Sequence, residues 1–122
     1  MIGSRIQRAV LLGSLAFAPA ALAQTPTDAQ LKKGQEVYQY WCWNCHGGGT
    51  GKPGTEALQA KYKGTRPADL EQRTDLAPAV IKTFVRKGVS IMPIFRKTEI
   101  SDAELDALAV YLARNTKAKS GN

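Results

Sequence analysis

Hydrophobic positions along this chain fall into helical registers separated by glycine- and proline-rich breaks, and nowhere into the two-residue alternation of strands. The last register is the strongest. Leu105, Leu108, Ala109 and Leu112 recur at i, i+3, i+4 and i+7, and Ser101-x-x-Glu104 ahead of them is a capping box. Tyr111 flanks the stripe, and the pattern fades near Asn115. A first helix is predicted from Thr27 or Asp28, a plausible N-cap pair, towards Cys42. It carries Leu31, Gly34, Tyr38 and Trp41 at helical spacing, with Val37 beside them. Glycine in mid-helix costs about 1 kcal/mol against alanine. Gly34 is therefore either a point of close backbone approach or a merely tolerated residue.

The middle of the chain is more broken. Gly47 to Gly54 (GGGTGKPG) cannot form regular structure. A short helix is predicted from Thr55 to about Tyr62, then a loop through Gly64 and Pro67. Pro78 suits the first turn of a further helix with Val80, Ile81, Phe84 and Val85 on one face and Gly88 as its stop. Val89 to Thr98 reads as a loop, because the residue before a proline, here Met92, is pushed away from helical geometry. The expected fold class is all-α, without internal repeats.

The first residues have a different character. Arg5 and Arg8 precede a short apolar run (Ala9 to Ala18), Pro19 breaks it, and Ala21-Leu22-Ala23 offers a small-x-small cleavage pattern. Residues 1–23 are thus expected to be an export signal, 24–27 a leader, 28–115 the domain and 116–122 a polar tail. The competing reading is a retained anchor, but the run before Pro19 falls short of the roughly 20 apolar residues a span requires. The expectation is a periplasmic protein with no membrane span once the signal is cut. At 122 residues there is room for one domain. The formal charge of +7 drops by two when Arg5 and Arg8 are lost. The remaining cations are scattered rather than clustered. That argues against nucleic acid and for modest steering of a negatively charged partner.

Candidate chemistry concentrates in four side chains. The chain past the signal holds two cysteines, one histidine and one methionine: Cys42, Cys45, His46 and Met92. Cys42-Trp43-Asn44-Cys45-His46 is a C-x-x-C-H run, the attachment signature of c-type haem. Residues three apart project from one side of a helical turn. Two thiols so placed reach two vinyl groups of one porphyrin edge, and the adjacent imidazole meets the iron. A thioredoxin-like redox pair would need a βαβ context, a zinc site lacks its other half, and a plain structural disulfide leaves the histidine without a part. A methionine thioether is soft and neutral, so Met92, in a loop stiffened by Pro93, is the candidate sixth ligand; His/Met ligation raises the reduction potential. A lone methionine also serves commonly as core filling, the alternative for Met92. Pro53 either places its carbonyl near the far nitrogen of His46 or merely turns the chain. Trp41, Trp43, Tyr62, Phe84, Ile94 and Phe95 are candidates to wall the haem from water, some of them ordinary core.

CWNCHG with MPIF downstream, Gly34/Tyr38 near the start and Leu108/Tyr111 near the end resemble the class I cytochrome c family. That resemblance implies a fold of crossed N- and C-terminal helices around one covalent haem c, with Gly34 and Tyr38 meeting Leu108 and Tyr111. The stretches 51–64 (GKPGTEALQAKYKG) and 85–112 are also similar to the cytochrome subunits of the flavocytochrome family of p-cresol methylhydroxylase and 4-alkylphenol (eugenol) hydroxylases. There a flavoprotein subunit oxidises the phenol and the cytochrome takes electrons singly from the flavin. The resemblance implies a flavoprotein dehydrogenase partner and a downstream electron acceptor, and no catalytic residue in this chain. The alternative expectation is a free shuttle between another dehydrogenase and a terminal oxidase. A haem enzyme or gas sensor would need an open iron site, against which Met92 argues.

Overall fold

The computed structural model describes residues 25–116. The export signal assigned to 1–23, Gln24, and residues 117–122 of the tail lie outside the described residues. Five helices and one short 3-10 turn (Leu70–Gln72) are joined by loops, and no strand forms among the described residues.

The longer helices start either at a side chain that accepts from their first N–H groups or at a proline. Helix α1 (Asp28–Trp41) begins at Thr27, whose side chain accepts from the Gln30 N–H, with Asp28 favourable at the positive end of the helix. It stops at Trp41, and after Cys42 a single turn, α2 (Trp43–His46), carries the C-x-x-C-H residues. Helix α3 (Pro53–Tyr62) starts two residues earlier than expected, because Pro53 is pre-set for the first helical position and needs no N–H partner there. Helix α4 (Pro78–Lys87) starts the same way and ends at Gly88, whose φ of +65° suits glycine. Helix α5 (Asp102–Ala113) has both halves of its capping box: Ser101 accepts from the Glu104 N–H, and Glu104 accepts from the Ser101 N–H.

Packing brings the two ends of the domain together. Helices α1 and α5 cross, and Val37 and Tyr38 bury against Leu105, Leu108, Ala109 and Leu112. Ile81 and Val85 of α4 cover the same core, joined by Leu76 and Ile100. Gly34 is a point of close approach. A Cβ there would run into the Ala107 carbonyl oxygen and stand 2.6 Å from the Tyr111 Cβ. The rings of Tyr38 and Tyr111 lie 6.0 Å apart, as the resemblance implied for this crossing. Val37, not Trp41, completes the buried stripe of α1; Trp41 sits at its edge, half-exposed, with its ring edge-on to Phe95. No helix among the described residues is long and apolar enough to cross a membrane.

Candidate functional site

The C-x-x-C-H turn is held from both sides. Cys42 closes it by accepting from the N–H groups of Cys45 (3.1 Å) and His46 (2.8 Å). The buried Tyr38 hydroxyl of α1 donates to the His46 carbonyl at 2.9 Å, and the Thr55 hydroxyl of α3 donates to the Gly47 carbonyl at 2.9 Å. Gly54, in the first turn of α3, lies against the imidazole: a Cβ there would be 2.8 Å from Nδ1 of His46. Burial holds the His46 pKa below its usual value, so the ring is neutral at pH 7, the form that ligates a metal. Of the two roles open to Pro53, the hydrogen bond from His46 to its carbonyl is not formed. Nδ1 is buried without a partner. As the first residue of α3, Pro53 directs its carbonyl along the helix, and Gly54 is the residue that faces the ring.

The methionine loop leaves α4 at Gly88 and folds back on itself. Val89 and Met92 exchange backbone hydrogen bonds (3.2 and 2.9 Å), and the Phe95 N–H donates to the Val85 carbonyl at 2.9 Å. Met92 is half-buried against the core, while Val89, Ile91 and Ile94 of the same loop are exposed.

Cys42, His46 and Met92 line one cavity of about 210 Å³, partly open to solvent. Its walls are largely aliphatic: Leu58 from α3, Val80, Ile81 and Val85 from α4, Leu108 and Leu112 from α5, with Leu70, Leu76 and Val89 from loops. Val80 and Phe84, the exposed members of the apolar face of α4, are exposed because they face this space. Both cysteines are free thiols. Cys42 is buried, which pushes its pKa up to about 12, with a smaller contribution from Cys45; Cys45 is exposed and outside the cavity wall. Among the described residues no group of three His, Cys, Asp or Glu side chains converges as a metal-ion cage would need.

Of the large apolar residues expected around the cavity, Tyr62 and Phe84 line it, while Trp41, Trp43, Ile94 and Phe95 do not. Trp43 is capped instead by the Lys52 ammonium, 3.2 Å from its ring centroid, and Trp41 and Phe95 pack on each other. Sequence reasoning missed Arg73. Only 4% exposed, it lines the cavity beside Tyr62 and grips Asp75 through Nε (2.6 Å) and Nη2 (2.9 Å). Arg73-Thr74-Asp75 looks in sequence like any solvated charge pair, and nothing local marks the arginine as buried.

Helices that cross at Gly34 and direct a C-x-x-C-H turn and a methionine loop at one apolar cavity make this chain a c-type cytochrome of class I. It belongs to the family described as cytochrome c oxidase, cbb3-type, subunit III, whose model matches residues 29–112. That span reaches from the start of α1 almost to the end of α5. Comparison with curated proteins gives no match. Membership makes the chain's part haem-based electron transfer.

Proposed function

We propose that this chain is an exported, periplasmic carrier of one covalent haem c, held through Cys42 and Cys45 and ligated by His46 and Met92. The observation that carries this reading is that the single histidine and Met92 face one apolar cavity together with Cys42. When bound, the haem supplies a one-electron couple between ferric and ferrous iron. The chain's own groups do the rest. With Nδ1 packed under Gly54, the other nitrogen of His46 is left to the cavity. Cys42 borders the cavity, and Cys45 follows one turn later. Arg73, held by Asp75 in the cavity wall, would set a buried positive charge beside the haem. The aliphatic walls exclude water, and together with a neutral thioether they favour the less charged ferrous state and a raised potential.

The donor we propose is a flavoprotein dehydrogenase of 4-alkylphenols, with this chain as its docked haem subunit. Two features support it: the likeness of residues 51–64 and 85–112 to such cytochrome subunits, and the exposure of Ile91 and Ile94 beside Met92. Apolar side chains held on a hydrogen-bonded loop fit a lasting interface better than free solution. The second reading is a free shuttle to a terminal oxidase. It is favoured by Lys61, Lys87 and Arg96, which form no ion pair among the described residues and suit brief, salt-sensitive encounters, and by the oxidase named in the family description.

Two experiments test these readings. The ferric protein is expected to be six-coordinate and, once reduced, to resist carbon monoxide. Met92→Leu should admit carbon monoxide and lower the potential; an unchanged potential would remove Met92 from the iron. For the partner, native purification at low salt should bring down a flavoprotein that reduces this haem when a 4-alkylphenol is added. Monomeric cytochrome, unreactive towards such flavoproteins, favours the shuttle.

A further inference from the structure

The loop that presents Met92 is tied at its base by one side chain from outside it. Arg86, in the last turn of α4, donates through Nη1 to the Phe95 carbonyl at 2.9 Å and through Nη2 to Asp102 Oδ1 at 3.0 Å. Asp102 is the first residue of α5, and its other oxygen accepts from Lys97 Nζ at 2.6 Å. The neighbouring residue, Val85, takes the Phe95 N–H. Both backbone polar groups of Phe95 are therefore held by consecutive residues of α4, and Gly88 to Ile94 form a loop closed at its neck. Within it Gly88 leaves no room for a side chain: a Cβ would lie 2.6 Å from the Met92 carbonyl oxygen and 3.2 Å from the Ile94 nitrogen.

We infer that Arg86 is a positioning residue for the sixth iron ligand, fixing where the Met92 thioether sits by clamping the neck of its loop to α4 and α5. The inference rests on Met92 as ligand, argued above. Geometry distinguishes Arg86 from ordinary surface charge. Its side chain is 23% exposed, against 43% for Lys82, which lies one turn earlier on α4 and pairs with Asp106 of α5. Lys82 ties the same two helices but makes no hydrogen bond to the loop, so it controls for helix docking alone. The planar fork of Arg86 reaches two acceptors on separate segments at once. Lysine keeps the charge but lacks that fork.

The test is competition for the iron. Imidazole binds ferric iron in the assembled cytochrome only when the methionine moves aside, so its affinity reads the hold of the loop on Met92. Arg86→Met is expected to tighten imidazole binding about tenfold, the scale of losing one hydrogen bond from a charged donor. It should also weaken the absorption band of the methionine–ferric bond. Arg86→Lys should recover part of both, and Lys82→Met should lower resistance to denaturant without moving imidazole affinity. If Arg86→Met and Lys82→Met bind imidazole alike, the clamp is wrong and Arg86 only docks helices. Met92→Ala separates the premises. Wild type that binds imidazole as Met92→Ala does would overturn the ligand assignment and the clamp with it.

Discussion

Gly34→Ala inverts a familiar effect, and the size of the inversion can be worked from the crossing of α1 and α5. In an open helix, glycine to alanine stabilises by about 1 kcal/mol. Here the new methyl would meet the Ala107 carbonyl carbon at 2.7 Å and the Tyr111 Cβ at 2.6 Å. Carbon atoms rest at about 3.5–4.0 Å, so the helices must part by roughly 1 Å. No rotamer relieves this, since the obstacles are α5 backbone and a Cβ. Separation of that order forfeits a quarter to a half of each contact's attraction, and it does so where Tyr38, Leu108 and Ala109 have no exposure to begin with. Overpacking costs about 1–3 kcal/mol. Taking the upper end for a rigid backbone contact and subtracting the propensity gain leaves a net loss of about 2 kcal/mol. For a domain near 100 residues that lowers Tm by about 8–16 °C. Thermal unfolding of the ferric holoprotein gives Tm and guanidinium unfolding gives the free-energy loss, both followed by far-ultraviolet dichroism and haem absorbance. A variant as stable as wild type, or more so, would refute the close approach.

Tyr38→Phe should cost about 1–2 kcal/mol, because the half-buried His46 carbonyl loses its donor while the ring packing stays; the same unfolding assay checks it, and a loss under about 0.5 kcal/mol would show that the bond does not hold the turn. Acid stability has a named contributor in Glu104, whose carboxyl is held down to about 2 by the Ser101 N–H, then by Lys33 and the Ser101 hydroxyl. A folded pKa below the ordinary 4.5 means the native state binds its proton later than the unfolded chain, so the benefit is full above that value and is lost as pH falls towards 2. Glu104→Gln should flatten the stability–pH curve across that window, and an unchanged acid limb would count against the capping box as its source.

What could be read from the chain alone follows the range of the physics involved. Both halves of the capping box lie within four residues, and the C-x-x-C-H turn is contiguous, so each was visible as a string. Gly34 was visible only as an anomaly, because what it admits, the backbone at Ala107, is more than seventy residues away. The start of α3 was misplaced because a run of glycines masked Pro53, whose fixed φ begins a helix however poor its neighbours. The aromatic wall was overdrawn for a related reason. Trp43 had a nearer partner in Lys52, and Trp41 in Phe95, while the cavity took its lining from leucines that carry no signal of their own.

The arginines mark the limit most clearly. Arg73 and Arg86 each sit in sequence among charges that look alike, yet one is buried at the cavity and the other spans two segments. The chain's many cations suggest a steering field, and the ion pairs divide it. Lys33, Lys82 and Lys97 bond carboxylates of α5, where exposed pairs contribute about 0–1 kcal/mol each. Arg73 and Arg86 are largely withdrawn from water, and each holds a place in the geometry that a point charge cannot. Replacing either by lysine therefore preserves net charge and any long-range attraction for a partner. It removes a second arm from the cavity wall or from the methionine loop, so the two effects are separable within one residue.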